Sequence, residues 1–229
     1  AHELDLDAIR SADVFWVTGT GLSQEPSRTA TLEALRARAR HGITVLDLDY
    51  RPMFWESREE ARRWVQQALP HVTVAVGNLD ECDTAVGERE PRAAAAALHA
   101  AGVELAVVKQ GPDGVLASRG GEIVEVPPIP VEVVNGLGAG DAFGGALCHA
   151  LLSGWDLDRA MRFCNAAGSI VAGRLACSWP RPAATAASAS RSACSACGDS
   201  CHDRRGLAAS RISTRPARTI RNSARRASV

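Results

Sequence analysis

Apolar and polar residues alternate in blocks along most of the chain. Short apolar runs rich in β-branched residues, such as "ITVLDLD" (43–49) and "ELAVVKQG" (104–111), predict buried strands. The intervening segments have apolar residues at helical spacing. One of them is "SREEARRWVQQALP" (57–70), where Ser57 and Glu60 have the spacing of a capping box. Continuous apolar strands that alternate with amphipathic helices predict an α/β sandwich around a mostly parallel sheet.

The polar segments that follow the strands are the candidates for chemistry. The other predicted strands are 13–19, 72–77 and an antiparallel pair at 114–118 and 122–127; the other predicted helices are 25–40, 91–102, 139–153 and 156–174. Ligands of such folds bind beyond the carboxyl ends of the strands. We therefore expect the polar segments "DLDYRP", "GNLDE", "KQGPDG" and "NGLGAGD" to lie at one edge of the sheet.

Composition narrows the class of protein. Hydrophobic residues make up 46% of the chain, enough for a sizeable core, and the zero formal charge gives no general attraction to nucleic acid or anionic membranes. No apolar run approaches the ~18 residues of a transmembrane helix, and the N-terminus lacks the regions of a signal peptide. The 7 cysteines have no framework spacing, so we expect a reducing, cytoplasmic location. Because the chain begins with Ala rather than Met, we expect it to start inside a longer protein.

The zero net charge hides two unlike parts. Residues 1–177 carry 16 Lys and Arg against 24 Asp and Glu, a balance of −8, whereas residues 178–229 carry 10 Arg against 2 Asp, a balance of +8. We interpret the first part as a folded body. The second is a tail rich in Arg, Ala and Ser, expected to be disordered or frameshifted out of GC-rich DNA. A nucleic-acid-binding arm and a zinc site in "CSACGDSCH" (194–202) are the alternatives for this tail.

The segment "NGLGAGDAFGGAL" (135–147) places glycines before one acid at the start of a predicted helix. Gly138, Ala139 and Gly140 can turn successive backbone N–H groups toward one point, where the helix dipole also favours an anion. Asp141 either stabilises the helix alone, by ~0.3–1 kcal/mol, or accepts a proton from an attacking hydroxyl, a contribution of typically ~10²–10⁴-fold. The patterns of a P-loop and of a dinucleotide fingerprint are both absent.

This glycine segment resembles the second signature of the ribokinase-like, or PfkB, carbohydrate kinases. The Gly-Ala-Gly-Asp part is intact, while Asn135 and Gly136 replace the usual Asp-Thr. Three further segments resemble family motifs and occur in the expected order along the chain: "NLDE" (78–81), "KQGPDG" (109–114) and "FCNAAGSIVA" (163–172). The resemblance covers about residues 10–177 and implies a three-layer α/β/α sandwich with a mostly parallel sheet and ATP-dependent phosphorylation of a sugar.

The resemblance also implies roles for individual residues. Asp141 would be the catalytic base, and Gly138, Ala139 and Gly140 would hold the transferring phosphoryl group. The nucleotide would contact Asn78, Lys109, Gly111, Gly114, Gly140 and Asn165. Glu81 and Asn78 would hold Mg²⁺ indirectly, and a monovalent cation such as K⁺ would bind near the loop after "RLAC" (174–177).

Two segments point to a sugar acid as the substrate. "VTGTGLSQEPSR" (17–28) and "DLDYRPMFW" (47–55) are similar to those of family members that phosphorylate 5-dehydro-2-deoxy-D-gluconate in inositol catabolism. Kinases of 2-keto-3-deoxygluconate carry a similar second stretch, which leaves that substrate as an alternative. Asp49, Arg51 and Asp141 would bind the sugar acid, because a guanidinium fork suits a carboxylate. Alternatively, Arg51 forms an ordinary salt bridge with Asp47 or Asp49.

The resemblance leaves parts of the family pattern without a counterpart. The N-terminal strands and the lid over the sugar are not found in this sequence, so we expect the chain on its own to have little or no kinase activity. We expect ATP and a small sugar acid as partners, no nucleic acid and no membrane, and a homo-oligomer in the full-length enzyme. The non-enzyme alternatives are an inactive fragment and an interaction protein that acts through its basic tail.

Overall fold

The structure is a computed structural model and describes residues 4–174. Its strands are β1 (Val14–Thr18), β2 (Ile43–Asp47), β3 (Val74–Asn78), β4 (Leu105–Lys109), β5 (Val115–Arg119) and β6 (Glu122–Val126). Its helices are α1 (Leu6–Ser11), α2 (Ser27–Arg38), α3 (Arg58–Ala68), α4 (Leu79–Val86), α5 (Pro91–Ala100), α6 (Ala139–Leu152) and α7 (Leu157–Ala172).

The six strands form one sheet in chain order, from β1 at one edge to β6 at the other. β1 to β4 are parallel, and β5 and β6 continue the sheet as an antiparallel pair. Parallel crossovers are right-handed, so a sheet that grows in one direction places the helices of its crossovers on the same face. The carboxyl ends of β1 to β4 consequently meet at one edge, which confirms the predicted mostly parallel α/β fold.

Two apolar cores, one on each face of the sheet, give three layers. On the first face α2 to α5 bury residues such as Leu35, Val65 and Leu98 against the sheet. On the second face α6 and α7 bury residues such as Leu147 and Met161. Alternate residues of each strand point to opposite faces, which is why apolar runs without polar interruption were needed. The three-layer prediction is confirmed.

The helices differ from the sequence prediction at α1, which was not predicted, and at α3 and α4. α4 was not predicted as a helix, yet Asn78 and Glu81 close its N-terminus as a complete capping box. At α3 the predicted capping box is only half formed, because Ser57 accepts the N–H of Glu60 but the carboxylate of Glu60 accepts the N–H of Glu56. The N–H of residue 57 therefore takes no part in it.

Three predictions concern residues that the structure does not describe. The tail from residue 178, the zinc-ligand pattern at 194–202 and the cation-binding loop after Arg174 all lie outside residues 4–174. Within that described part, every helix is too short or too polar to cross a membrane.

Candidate active site

A cavity of about 280 Å³ opens at the carboxyl ends of the parallel strands. It is lined by Trp16, Thr18, Thr20, Asp47, Asp49, Arg51, Phe54, Glu81, Lys109, Gly140 and Asp141. Residues from four strand ends and from the start of α6 therefore share one space. The expectation that "GLGAGD" and "KQGPDG" lie at the same edge is confirmed, since Lys109 Nζ is 3.9 Å from the position that a Cβ on Gly140 would take.

The start of α6 forms one wall of this cavity. Gly138 caps the helix in a left-handed conformation (φ 81°), which a glycine adopts without strain. The first helical hydrogen bond runs from Ala142 N to Gly138 O, so the N–H groups of Gly140 and Asp141 precede the hydrogen-bond ladder. Within residues 4–174 the carboxylate of Asp141 has no hydrogen-bond or ion-pair partner. This helix end presents two lining residues, two backbone donors and a free carboxylate.

Lys109, at the end of β4, faces Glu81 in the first turn of α4. Glu81 is nearly fully buried, with Oε2 accepting the N–H of Asn78 at 2.7 Å and lying 4.0 Å from Lys109 Nζ. Asn78 returns the bond, since its Oδ1 accepts the N–H of Glu81 at 2.9 Å. The side-chain oxygen of Asn78 is thus used by the helix cap, and only Glu81 of this pair lines the cavity.

Asp47 and Asp49 follow β2 on the opposite wall. Burial raises the pKa of Asp47 to about 6; Lys109 opposes this shift, whereas Glu81 and Asp49 add to it. Asp49 Oδ1 lies 2.9 Å from Nε of Arg51, so the salt bridge considered for Arg51 is present. No hydrogen bond joins Nη1 or Nη2 of Arg51 to a residue in the described part of the chain. The salt bridge and a further ligand can therefore use different nitrogens of one guanidinium.

The remaining residues proposed for nucleotide binding lie outside the lining of the cavity. Gly111 sits in the turn after β4 with open space around it, and Gly114 has φ 95° where a Cβ would lie 2.1 Å from the carbonyl oxygen of Val126. Asn165 Nδ2 donates a hydrogen bond of 2.7 Å to Pro127 O. In this structure Gly114 allows close backbone packing, and Asn165 ties α7 to the segment after β6.

Sequence reasoning missed five residues of the lining. Trp16, Thr18 and Thr20 come from β1 and the turn after it, Asp47 ends β2, and Phe54 follows Arg51. For Thr18, Thr20 and Asp47 the available signal was their position at or just after the carboxyl end of a strand. In the structure the indole ring of Trp16 packs against Gly144, where a Cβ would lie 2.6 Å from the ring.

Comparison with known proteins places the chain in a family. Residues 1–184 match the model of the pfkB family carbohydrate kinases. The chain belongs to the pfkB family. Named relatives include a 5-dehydro-2-deoxygluconokinase from Shouchella clausii, 37% identical over 173 residues, which are 74% of this chain and 53% of the relative.

Another relative gives a similar result. A 5-dehydro-2-deoxygluconokinase from Geobacillus thermodenitrificans is 33% identical over 187 residues, which are 79% of this chain and 56% of the relative. This pfkB-family chain therefore spans about half the length of the curated relatives it matches. Among solved structures, a putative ribokinase II from E. coli in complex with ATP and Mg²⁺ has a TM-score of 0.69 and 25% identity, over 77% of this chain and 57% of that one.

The charges in the cavity of the pfkB-family chain bear on how an anion could bind. Four carboxylates (Asp47, Asp49, Glu81 and Asp141) face two cations (Arg51 and Lys109). In residues 4–174 no three Asp, Glu, His or Cys side chains are arranged to hold a metal ion by themselves. Mg²⁺ commonly takes one or two carboxylates and completes its octahedron with water and substrate phosphates. The residues present fit a magnesium ion that arrives with a nucleotide.

Proposed function

We propose that the protein transfers the γ-phosphoryl group of ATP to a hydroxyl of a sugar acid. The observation that carries this proposal is the unpartnered carboxylate of Asp141, which lines the same cavity as Lys109 and Arg51. A carboxylate at a helix start that served only the helix would not need to face a cavity containing two cations from other strand ends. Membership of the pfkB family supports a carbohydrate as the acceptor.

Asp141 is the general base in this proposal. The acceptor hydroxyl gives its proton to Asp141 while its oxygen bonds to the γ-phosphorus, and the bond from that phosphorus to the β–γ bridging oxygen breaks to release ADP. The N–H groups at the start of α6 and the ammonium of Lys109 hold the charge on the phosphoryl oxygens, a stabilisation that acts mainly through positioning and electrostatics. Bound Mg²⁺ would neutralise phosphate charge. Glu81 and Asn78 would hold this ion indirectly.

The nucleotide is proposed to contact Lys109 and Gly140 in the cavity. Asn78, Gly111, Gly114 and Asn165 are proposed as further nucleotide contacts from the surrounding loops and α7. The neighbouring E. coli structure binds ATP and Mg²⁺, which supports both as partners. A monovalent cation site, a cytoplasmic location and a homo-oligomer remain predictions.

The substrate is proposed to be 5-dehydro-2-deoxy-D-gluconate, bound through Arg51 with Asp49 and Asp141 beside it. Two kinds of support converge here. The relatives with 33% and 37% identity carry the name 5-dehydro-2-deoxygluconokinase. In addition, the terminal nitrogens of Arg51 are available to a carboxylate in a bidentate geometry. A 2-keto-3-deoxygluconate offers the same carboxylate and is the alternative substrate.

The test compares acidic and neutral sugars as acceptors in the full-length gene product, with Mg²⁺ and ATP, in an assay coupled to ADP release. We expect turnover with 5-dehydro-2-deoxy-D-gluconate or 2-keto-3-deoxygluconate, and a much lower kcat/KM with D-fructose or D-ribose. Arg51→Ala should reduce kcat/KM for the acid more than for the neutral sugar. Arg63→Ala, at an exposed arginine of α3 outside the lining, is the matched control. Equal losses for both kinds of sugar in Arg51→Ala would exclude a carboxylate contact.

A further inference from the structure

Thr20 contacts Asp49 at two points in the cavity wall. Its Oγ1 lies 2.7 Å from Asp49 Oδ2 and 3.0 Å from the carbonyl oxygen of Asp49. Both partners are acceptors and the hydroxyl has one proton, so its bond goes to the carboxylate at the shorter distance or is shared between the two. Either way, one carboxylate oxygen of Asp49 is taken by Thr20 and the other, Oδ1, by Nε of Arg51.

The backbone of Asp49 is held in an unusual conformation. Among residues 4–174 the non-glycine residues with positive φ are Ala39, Arg40 and Asp49, and Asp49 (φ 31°) is the one that lines the cavity. Such a conformation costs energy in a residue with a side chain and persists only when its surroundings enforce it. The contact with Thr20 is one of those constraints.

The turn that carries Thr20 is itself fixed from both sides. Gly19 packs so closely on β2 that a Cβ there would lie 2.0 Å from the carbonyl oxygen of Leu48. From the other side, Arg28 donates hydrogen bonds to the carbonyl oxygens of Leu22 (2.8 Å) and Ser23, and Glu60 holds the same guanidinium. The hydroxyl of Thr20 therefore has a defined place relative to Asp49.

This arrangement bears on the geometry of the Asp49–Arg51 ion pair. A carboxylate with two free oxygens pairs with arginine bidentately, through two parallel N–H···O bonds. Without the hydrogen bond from Thr20, the carboxylate of Asp49 could rotate so that both of its oxygens meet nitrogens of Arg51, which would neutralise the fork that a substrate would use. With Oδ2 held by Thr20, only Nε of Arg51 is engaged.

We propose that Thr20 is a positioning residue for the acidic substrate. It keeps Asp49 from pairing bidentately with Arg51, so that Nη1 and Nη2 of Arg51 remain available to a substrate carboxylate. This inference rests on the proposed function and goes beyond it in assigning specificity to a residue that makes no contact with the carboxylate itself. It concerns acidic sugars only, because a neutral sugar gains nothing from a free guanidinium fork.

The experiment measures kcat and KM for 2-keto-3-deoxygluconate and for D-fructose in the full-length gene product and its variants. Thr20→Val, which keeps the shape but removes the hydroxyl, should lower the acid-to-neutral ratio of kcat/KM by about tenfold, mainly through KM for the acid. Thr20→Ser, which keeps the hydroxyl, should stay close to the parent ratio. A merely structural role would reduce both substrates together and would leave the ratio unchanged.

Two further outcomes are separable. If the parent protein has turnover but Thr20→Val keeps its ratio, or if Thr20→Ser loses as much as Thr20→Val, the inference is wrong while the proposed function stands. If the parent protein has no turnover with any sugar, the proposed function fails, and NMR of the Arg51 Nε–Hε signal decides the inference. That signal, assigned by its loss in Arg51→Lys, should shift on titration with 2-keto-3-deoxygluconate but not with D-fructose, and less in Thr20→Val. Equal shifts in parent and variant would overturn the proposal.

Discussion

The amino ends and the carboxyl ends of the parallel strands use charged residues in opposite ways. At the amino ends of β2 to β4, Arg40 Nη1 donates to the carbonyl oxygens of Pro70, Val72 and Gly102 at 2.6–3.1 Å. Its Nη2 donates to Glu104 at 2.6 Å. The guanidinium of Arg40 thus links the loops that precede β2, β3 and β4, and its two terminal nitrogens both hydrogen-bond to other residues of the fold.

At the carboxyl ends the charges are not satisfied in this way. Asp141 has no partner in the described part of the chain, and burial raises the pKa of Asp47. Asp141 is exposed to the cavity, and an ionisable group in a cleft whose pKa is raised by burial, as that of Asp47 is, is a candidate for a functional site. In this protein the charge of Arg40 is paired with backbone carbonyl oxygens and stabilises the fold, whereas the charge of Asp141 faces a cavity and is available to a ligand.

The largest expected effect comes from Asp141→Asn. If Asp141 is the base, kcat should fall by ~10²–10⁴-fold while nucleotide affinity stays close to that of the parent, because the backbone donors of α6 remain. Steady-state kinetics with calorimetric titration of nucleotide measure both. Asp158→Asn is the matched control, since Asp158 is a first-turn acid of α7 that pairs with Arg162. Similar small losses in the two variants would show that Asp141 is only a helix-end charge.

Asp47→Asn should make the body more stable at neutral pH. The pKa of Asp47 rises from 3.8 to about 6 on folding, so the folded state binds the extra proton between these values and stability falls as the pH rises through this window. The cost of the buried charge at pH 7 is at most about 3 kcal/mol. Urea unfolding should show the variant above the parent at pH 7 and equal to it below about pH 4. A difference that does not depend on pH would contradict the assignment.

Arg40→Ala should act on stability alone. Removing donors that bind the loops before β3 and β4 should lower the free energy of unfolding by about 2 kcal/mol, in the range of hydrogen bonds to charged groups. Nucleotide affinity should not change, because Arg40 lies at the edge away from the cavity. Arg40→Lys, which keeps the charge without the planar fork, should fall in between. A loss of nucleotide binding at unchanged stability would contradict the assignment of Arg40 to the stability of the fold.

Ser118→Ala should give the smallest effect, at the same edge as Arg40. His99 Nδ1 lies 2.8 Å from Val103 O and must donate to it, so Nε2, 2.9 Å from Ser118 Oγ, accepts the serine proton when the ring is neutral. Removing the hydroxyl should cost about 1 kcal/mol of unfolding free energy. Kinetic constants that change in this variant would mean that the edge also serves the site.

Much of the fold follows from the sequence because its strands are short apolar runs and its crossovers are local. The strand "VFWVT" (14–18) and the one at 105–109 were predicted within two residues of their bounds. The miss at α4 has a physical reason: "NLDE" was interpreted as a phosphate and metal motif, although an Asn three residues before a Glu is also a helix start. The same two residues form the capping box, so the helix could have been predicted.

The site was only partly predictable. The rule that ligands bind at carboxyl strand ends was enough to bring Asp49, Arg51, Glu81, Lys109 and Asp141 together. It could not show which oxygen of Asp49 meets Arg51, nor that Thr20 takes the other. The contact between Thr20 and Asp49 joins residues 29 positions apart in the chain, and it depends on how closely Gly19 lets its turn approach Leu48 after β2.

The order of the layers along the chain determines which apolar surface is exposed to water during translation. Every strand leaves the ribosome before α6 and α7, which alone cover the second face of the sheet in the described part of the chain. During translation the first core can close while Val45, Val76 and Val107 still face water. A nascent sheet with one bare apolar face is a target for chaperones and for aggregation. α6 and α7 therefore protect this apolar face from water as well as supporting Asp141.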